Sequence, residues 1–472
     1  MATNARRAAE ESGIARYFHF AERRTDLRTE LVAGLTTFFV MAYIIFVNPA
    51  ILSGGALEGK GPPFPATLTA TCLAAGIMTI AMGLFTNYPF ALAPGLGLNA
   101  VVAFQLILGM GLPWQAAMGV IFLEGLLITL LVLTGFREAV MRAIPLDLKR
   151  AISVGIGLFI LFIGLNNAGL VRRTPVEGGT PVELGDYTTF PVLLAVIGLL
   201  LTMILMARRI KAALLIGILL TTLIGILAHY AFGADISAVP GVQGALPASL
   251  PGPDFSTIGQ GINVSVFSLV GPIAAVLVIF SLMLSDFFDT MGTVIGVGEQ
   301  AGFVDERGEL PGVNRVLLVD SIAAMVGGAF SSSSVTTYIE SAAGVSEGGR
   351  TGLTSIVVGV LFLISILLAP IAGLVPSEAT APALIIVGFL MCTAIRDINF
   401  ADFDAGLPAL LTMTLMPFTY SITNGIGFGF IAHTFIKAIM GRSREIHPLL
   451  WVISLAFLVY FLIPLLRQTF GF

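Results

Sequence analysis

The stretch Ala93-Pro-Gly-Leu-Gly-Leu-Asn99 interrupts an apolar run in the first half of the chain, and Ser331-Ser-Ser-Ser-Val-Thr-Thr-Tyr338 interrupts one in the second half. Proline and glycine break a helix, and the β-branched residues after Ser334 favour a strand. We therefore expect each stretch to combine a short strand with a half-helix. A kink that lets neighbouring helices approach is the alternative explanation of the Gly/Pro cluster.

The composition places both stretches inside a membrane protein. Of the 472 residues, 56% are hydrophobic and 11% are charged, and the mean hydropathy is +0.97. A soluble domain carries about 25% charged residues, whereas a membrane helix needs ~20 mostly apolar residues to cross the hydrocarbon. Such runs recur from residue 31 to residue 466, so we predict an all-α, multi-pass integral membrane protein.

Apolar runs between polar breaks predict fourteen transmembrane segments, seven in each half of the chain. Segments 1 to 7 are predicted at 31–52, 67–85, 93–107, 115–133, 151–170, 191–206 and 212–231. Segments 8 to 14 are predicted at 266–292, 316–330, 335–345, 351–368, 383–394, 407–421 and 425–440. A last apolar stretch, 449–466, either spans the membrane or lies in its interface.

The placement of lysine and arginine predicts the orientation, because these residues concentrate in short cytoplasmic loops. With the N-terminus inside, the loops after even-numbered segments are cytoplasmic, and basic residues follow segments 4, 6, 12 and 14: Arg137, Arg142, Lys149, Arg150, Arg208, Arg209, Lys211, Arg396, Lys437, Arg442 and Arg444. The predicted outside loop 232–265 has none, although Lys60, Arg172 and Arg173 fall in other outside loops. A cytoplasmic N-terminus is therefore expected.

The polar N-terminus and the two cysteines give no sign of a further functional site. Residues 1–30 carry six arginines without an apolar core, which predicts a cytoplasmic segment rather than a signal peptide. The absence of a cleavable signal suggests a location in the cell (inner) membrane. Cys72 and Cys392 lie in apolar stretches, where reduced core positions are expected, with no disulfide, no metal site and no cofactor.

Seven segments per half make the second half begin on the opposite side of the membrane, as in an inverted repeat. The repeats are predicted at 31–232 and 266–440, joined by an extracytoplasmic loop 233–265 and followed by a C-terminal segment 441–472. Segments 5 and 12 both begin after an apolar residue and a proline, at Pro145 and Pro376. The paired interruptions in segments 3 and 10 point to a binding site at the midplane, because unpaired backbone groups there must face a cavity.

Ionisable residues inside apolar segments are costly and therefore functional candidates; they are Glu124, Asp286, Asp289, Asp320, Glu340 and His433. Asp286 and Asp289 share one helix face, since they are three residues apart. In the repeat, segments 8 and 10 are equivalent to 1 and 3, so we expect their acids to meet near the centre. Asp286 has either a capping or packing role or a substrate role. Glu124 and Asp320 either tie helices together or relay protons, and His433 makes an interhelical bond.

Carboxylates and half-helix ends together suit a purine base as the bound solute. A fixed carboxylate accepts the ring N–H groups of a purine, and half-helix N-termini offer donors to its carbonyl oxygens or ring nitrogens. A buried carboxylate also tends to bind a proton, which would couple proton movement to the substrate. The proton-coupling candidates are Asp289, Glu340, Asp286, Glu124 and Asp320.

The chain resembles the AzgA-like purine permeases, a branch of the nucleobase-ascorbate transporter superfamily, from about residue 16 to residue 460. Besides the segment 3 stretch quoted above, the marks are Thr25-Asp-Leu-Arg-Thr-Glu-Leu-Val-Ala-Gly-Leu-Thr-Thr-Phe-Phe-Val-Met-Ala-Tyr43, Val47-Asn-Pro49, Asp286-Phe-Phe-Asp-Thr-Met-Gly-Thr293, Thr336-Thr-Tyr-Ile-Glu-Ser-Ala-Ala-Gly344 and Pro417-Phe-Thr-Tyr-Ser-Ile-Thr-Asn-Gly425. Together these motifs are highly specific.

The resemblance implies two intertwined inverted repeats, with segments 1–4 and 8–11 in a core domain and segments 5–7 and 12–14 in a gate domain. Relatives of this kind carry adenine, guanine or hypoxanthine with protons, commonly as homodimers that move substrate by an elevator-like shift of the core. Asn99, Asp289 and Glu340 match the family's polar positions in segments 3, 8 and 10. The uracil and xanthine branches keep a glutamate where this chain has Asp289 and often a histidine where it has Thr293, which favours the purine branch.

We expect the base to lie between the half-helix ends, with Asp289 and Glu340 accepting its N–H groups. Asn99, Thr337 and backbone amides near Ser341 and Ala100 would serve its other polar atoms. Aromatic candidates to stack on its faces are Phe38, Phe39, Phe288 and Tyr338.

Other functional classes fit less well. An anion transporter of the same fold would place a cation or bare half-helix ends in the pocket rather than two acids. An enzyme or receptor would need a nucleophile, a metal cluster or an extramembrane domain, and paired broken segments favour alternating access over a passive channel. The sequence thus predicts a secondary transporter whose partners are purine bases, protons, lipid and a second copy of the chain, without nucleic acid; an uncoupled purine facilitator is the alternative.

Overall fold

The computed structural model describes residues 13–54, 57, 59–134, 143–174, 180–233, 236, 252–304, 310–368 and 374–470, with side chains up to 462. Arg137 and Arg142, two of the basic residues used to predict the orientation, lie outside the described residues, as does about half of the loop 233–265.

Helices form at every predicted segment. In the first half they are Leu27–Met41 and Ile44–Ser53 (segment 1), Phe64–Thr86 (2), Leu96–Ala100 continuing as the π-helix Val101–Gly109 (3), Trp114–Thr134 (4), Leu146–Asn167 (5), Phe190–Ala207 (6) and Ala213–Phe232 (7). In the second half they are Val266–Leu269 and Pro272–Ala301 (8), Val313–Phe330 (9), Ser341–Ser346 (10), Gly352–Ser365 (11), Ser377–Cys392 (12), Phe403–Thr419 (13) and Ile422–Ile439 (14).

Within the described part of the chain, nine helices are long and apolar enough to cross a membrane. The shorter helices include the half-helices of segments 3 and 10, which begin inside the fold rather than at its surface. The chain is therefore a multi-pass membrane protein, and the number of fourteen segments stays a prediction.

Two short strands precede the half-helices and pair with each other. Strands Leu92–Pro94 and Val335–Thr337 are antiparallel, with Leu92 opposite Thr337 and Pro94 opposite Val335. The amide of Gly95 extends the pairing by donating to the carbonyl of Ser334 at 2.8 Å. The predicted combination of strand and half-helix in segments 3 and 10 is confirmed. Proline and glycine leave backbone groups without helical partners, and these groups form hydrogen bonds between the two halves of the chain.

The helices pack in two groups. Segments 2 and 11 pack together, as do 4 and 9, and segment 1 packs on 10 and 11. In the other group, segment 5 packs on 12 and 13, segment 6 on 7 and 12, and segment 13 on 14. Glycines permit the closest approach: a Cβ atom on Gly125 would lie 2.5 Å from the amide nitrogen of Met325, and one on Gly328 would lie 2.5 Å from that of Phe122. Segments 4 and 9 thus touch backbone to backbone.

Buried Glu30 ties the start of segment 1 to the start of segment 11. Its carboxylate accepts from the amides of Arg350 and Thr351 at 2.9 and 3.3 Å and from the hydroxyl of Thr354 at 2.6 Å. Asn87, after segment 2, accepts from the amide of Gly352 at 2.9 Å. These helix ends therefore lie together at one face of the membrane region, the N-terminal face. The carboxylate is compensated by unpaired N–H groups at a helix N-terminus.

The stretch 449–466 forms part of a 23-residue helix, Pro448–Phe470. Its apolar part, Pro448–Leu462, is one of the shorter apolar helices and not one of the nine counted above. It packs on segment 14, where the ring of Phe457 lies 6.2 Å from that of Phe430.

Candidate functional site

A cavity of about 610 Å³, part of it open to solvent, lies where the two half-helices converge. Part of its lining comes from the two strand-to-helix junctions, Tyr43 and the middle of segment 8; the part that comes from segments 5 and 12 is apolar. The lining residues are Tyr43, Gly95, Leu96, Gly97, Leu98, Ile156, Ser285, Asp286, Asp289, Thr293, Thr337, Tyr338, Ile339, Glu340, Val387 and Met391.

Asp289 and Glu340 both line this cavity, from segments 8 and 10. The hydroxyl of Tyr43 donates to Oε1 of Glu340 at 2.7 Å, which leaves Oε2 for another donor. The hydroxyl of Tyr338 donates to the carbonyl of Pro94 and so ties the two junctions together. With Asp286, three carboxyl groups therefore line the cavity, and a buried tyrosine positions that of Glu340.

Asp320 lies behind the cavity and holds the strand of segment 10. Its Oδ1 accepts from the amide and hydroxyl of Thr337 at 2.8 and 2.7 Å, and its Oδ2 accepts from the hydroxyl of Thr290 at 2.8 Å. Thr290 also shares a 2.7 Å hydrogen bond with Thr336. Both oxygens are thus engaged with segments 8 and 10, as expected of an acid that ties elements together.

Glu124 and Asp286 are completely buried beside each other, on segments 4 and 8. Asp286 reaches the cavity wall, whereas Glu124 lies behind it. His433 makes the expected interhelical bond, since its Nδ1 lies 3.1 Å from the carbonyl oxygen of Asp404 on segment 13.

Several residues predicted for the site do not line the cavity in this structure. Asn99 and Ala100 are buried, and neither polar side-chain atom of Asn99 has a hydrogen-bond partner. The hydroxyl of Ser341 accepts from the amide of Ala91 at 2.9 Å and so supports the strand. The aromatic candidates other than Tyr338 also point elsewhere: Phe38 packs on Phe362, Phe39 is exposed, and the ring of Phe288 lies 5.6 Å from Nζ of Lys149.

The sequence did not identify Tyr43 or the apolar wall formed by Ile156, Val387 and Met391 as parts of the site. Tyr43 carries a weak signal, a lone phenol inside an apolar segment that needs a partner. The wall residues carry none, because an aliphatic side chain in a membrane helix is ordinary there.

Polar contacts join segment 3 to segment 14. The side chain of Gln105 donates to the hydroxyl of Thr423 at 2.7 Å and accepts from the amide of Ile422 at 3.0 Å. The ring of Tyr420 lies 6.0 Å from that of Phe104 and 5.7 Å from that of Phe159. These contacts join the continuation of the segment 3 half-helix to segments 5 and 14 of the second helix group.

Curated proteins with similar sequences are permeases. Adenine permease AdeP of Escherichia coli is 42% identical over 447 residues, which cover 94% of this chain and 95% of that protein. Guanine/hypoxanthine permease PbuG of Bacillus subtilis is 41% identical over 94% of this chain and 99% of its own. Nucleobase transporter PlAzg2 of Paenibacillus larvae is 34% identical over 87% of this chain and 77% of its own.

Solved structures with a similar fold are transporters as well. The transmembrane domain of a cyanobacterium bicarbonate transporter, BicA, matches with a TM-score of 0.60 at 17% identity, over 86% of this chain and 97% of that one. Murine Solute Carrier 26 family member A9, an anion transporter in the inward-facing state, matches with a TM-score of 0.60 at 12% identity, over 88% and 69%. These similarities show that the chain has the inverted-repeat fold of those transmembrane domains, which have seven segments in each repeat; the number of segments in this chain stays a prediction.

The match to a family model covers segments 1, 3, 8 and 10, which carry the motifs quoted above. The model of the Permease family (Xan_ur_permease) matches residues 28–428, which is most of the chain. Together with relatives above 40% identity over nearly the full length, this match shows that the chain belongs to the Permease family, among its AzgA-like members.

Proposed function

We propose that this chain is a secondary active transporter that imports purine bases (adenine, guanine or hypoxanthine) by proton symport. The observation that carries the proposal is the pair of carboxyl groups, Asp289 and Glu340, on one wall of the cavity at the meeting point of the half-helices. The names of the similar permeases, for adenine and for guanine and hypoxanthine, support the substrate class.

The base would lie with its polar edge toward segments 8 and 10. Carboxylates accept hydrogen bonds from ring and exocyclic N–H groups, and the Tyr43 hydrogen bond uses one oxygen of Glu340 and leaves the other for the base. With Tyr338, the apolar residues Leu96, Ile156 and Val387 would cover the ring faces in place of the three expected phenylalanines. Such a pocket favours a neutral donor-rich ring over an anion, since the ionisable groups that line it are two aspartates, a glutamate and two tyrosines.

Transport would occur by an elevator-like movement between the two helix groups. Segments 1–4 and 8–11 form the proposed core, and segments 5–7 and 12–14 form the proposed gate. The cavity lies between them, with the acids on the core side and Ile156, Val387 and Met391 on the gate side. Movement of the core relative to the gate would carry the acids and the base together. We further propose a homodimer in the cell (inner) membrane with a cytoplasmic N-terminus.

An uptake experiment tests this function. Cells without their own permeases are given radiolabelled adenine, guanine, hypoxanthine, xanthine or uracil. We expect saturable uptake of at least one purine and its loss on addition of a protonophore. Purine uptake that persists unchanged with the protonophore would contradict symport and favour an uncoupled facilitator. Well-expressed protein that takes up none of the bases would contradict the purine substrate and return the same-fold anion transporter as the alternative.

A further inference from the structure

Two buried carboxyl groups in the proposed core lack hydrogen-bond donors. Glu124 is 0% exposed, and neither of its carboxyl oxygens has a partner. Asp286 is 1% exposed; its Oδ1 has no partner, and its Oδ2 has only a long contact of 3.4 Å with the hydroxyl of Ser334. A buried carboxylate without donors is strongly disfavoured, so this arrangement calls for another ligand.

The two groups are neighbours, close enough for a hydrogen bond between them if one carries a proton. Segments 4 and 8 pack directly against each other, and the charged groups that act on the pair are acids as well: Asp320 from segment 9 and Asp289 one turn along segment 8. Two adjacent carboxylates with acidic neighbours repel each other in a medium of low polarity. One proton shared between them removes a charge and supplies the missing donor, because O–H···O⁻ bonds between carboxyl groups are short and strong.

The other acids of the region either accept hydrogen bonds from the protein or line the cavity. Both oxygens of Asp320 accept hydrogen bonds from Thr290 and Thr337. Glu340 accepts a hydrogen bond from Tyr43. Both Glu340 and Asp289 line the cavity. Asp286 touches the cavity on one side and Glu124 on the other, so a proton from the cavity can reach the pair without crossing the protein.

We propose that Glu124 and Asp286 form a proton-binding site that holds one proton between their carboxyl groups, and that this proton is the one cotransported with the base. The assignment rests on the proposed function. A proton from water in the cavity forms an O–H bond on one carboxylate and is donated to the other. When the cavity faces the other side of the membrane, that O–H bond breaks, the proton passes to water, and water donates to the two carboxylates in its place. Asp289 and Glu340 then serve the base, and the coupling proton is stored behind them.

Proteoliposomes separate proton coupling from base binding. Exchange of labelled for unlabelled purine at equal pH needs no net proton movement, whereas accumulation driven by a pH difference does. With one proton per base, a difference of one pH unit permits about tenfold accumulation by the wild-type protein. In Glu124→Gln, the amide donates to Asp286 as the shared proton would, so we expect exchange to persist and accumulation to disappear. Glu445→Gln, the same substitution at a surface site, should retain both.

Accumulation that remains in Glu124→Gln would overturn the assignment, as would accumulation driven by a sodium gradient but not by a pH gradient. If the variant does not fold, infrared difference spectra of the wild-type protein give a second test. A protonated-carboxyl band that titrates with pH and is lost in Asp286→Asn supports the shared proton, and its absence from the wild type overturns it. Failure of the proposed function itself would give a different result from failure of the proton site, because wild-type protein would then exchange no purine at all.

Discussion

The phenol of Tyr43 donates a 2.7 Å hydrogen bond to Glu340 across 297 positions of sequence, and joins segment 1 to the half-helix of segment 10. This contact orients a cavity carboxylate from an element that contributes no acid to the cavity. In the proposed transporter, its effect would be on substrate affinity rather than on folding.

Replacing Tyr43 with phenylalanine removes that donor and little volume. A hydrogen bond to a charged group contributes about 1.5–3 kcal/mol, so we expect the KM for purine uptake to change by roughly ten- to a hundredfold with unchanged expression. Uptake kinetics measure the effect, and Tyr460→Phe, on the last helix, is the control. An unchanged KM would remove Tyr43 from the proposed site.

Glu340→Gln tests the carboxylate itself. The amide oxygen can still accept from Tyr43, so the fold should be kept, whereas the charged acceptor for the base is lost. We expect purine uptake to fall by at least about tenfold, since charge-assisted hydrogen bonds are roughly twice as strong as neutral ones. Direct binding of labelled base to purified protein gives the measurement. Full transport by this variant would eliminate the assigned role of Glu340.

Asp320→Asn should act on stability. Its carboxylate accepts three hydrogen bonds, and an amide in its place turns one acceptor into a donor that faces a hydroxyl or an amide. A buried mismatch of this kind costs about 1–3 kcal/mol, so the melting temperature in detergent should fall. Asp289→Asn is the matched control, because it faces the cavity and should lose binding without loss of melting temperature. If Asp320→Asn melted at the same temperature as Asp289→Asn, a structural role for Asp320 would be contradicted.

Gly328→Ala tests the close contact of segments 4 and 9. The new methyl group would lie 2.5 Å from the amide nitrogen of Phe122, so the helices must separate. Overpacking typically costs about 1–3 kcal/mol, and thermal unfolding monitored by size-exclusion chromatography would detect it. Gly292→Ala is the control, since nothing lies within 4 Å of its added Cβ atom. Equal stability of the two variants would show that the contact is not tight.

The surface acid Glu445 should not affect the pH dependence of transport. Hydrogen bonds from Arg442 and Lys437 lower the pKa of Glu445 to about 2. Because the folded-state pKa is lowered, the stabilisation by this group is present above its ordinary pKa and is lost only as the pH falls through about 2. We expect Glu445→Gln to leave the pH profile of uptake unchanged between about pH 5 and pH 8. A shifted profile would point to a role for this cluster in coupling.

The strands and half-helices of segments 3 and 10 were predictable from sequence, because proline, glycine and β-branched residues act on their own backbone. The division of labour among the acids was not. Asp320 and Glu124 look alike in sequence, each a lone acid in an apolar segment. They differ only in what surrounds them: three donors for Asp320, and another acid for Glu124.

By itself, the sequence determined the membrane class, the positions of the helices and the two interruptions, since the cost of placing polar groups in lipid can be evaluated within one window of residues. Only the tertiary structure decided that Tyr43 positions Glu340, that Glu124 lies beside Asp286, and that Ile156, Val387 and Met391 form the apolar wall. Hydrogen-bond partners and cavity walls come from segments distant in the chain, and their distances are set by helix packing rather than by local periodicity.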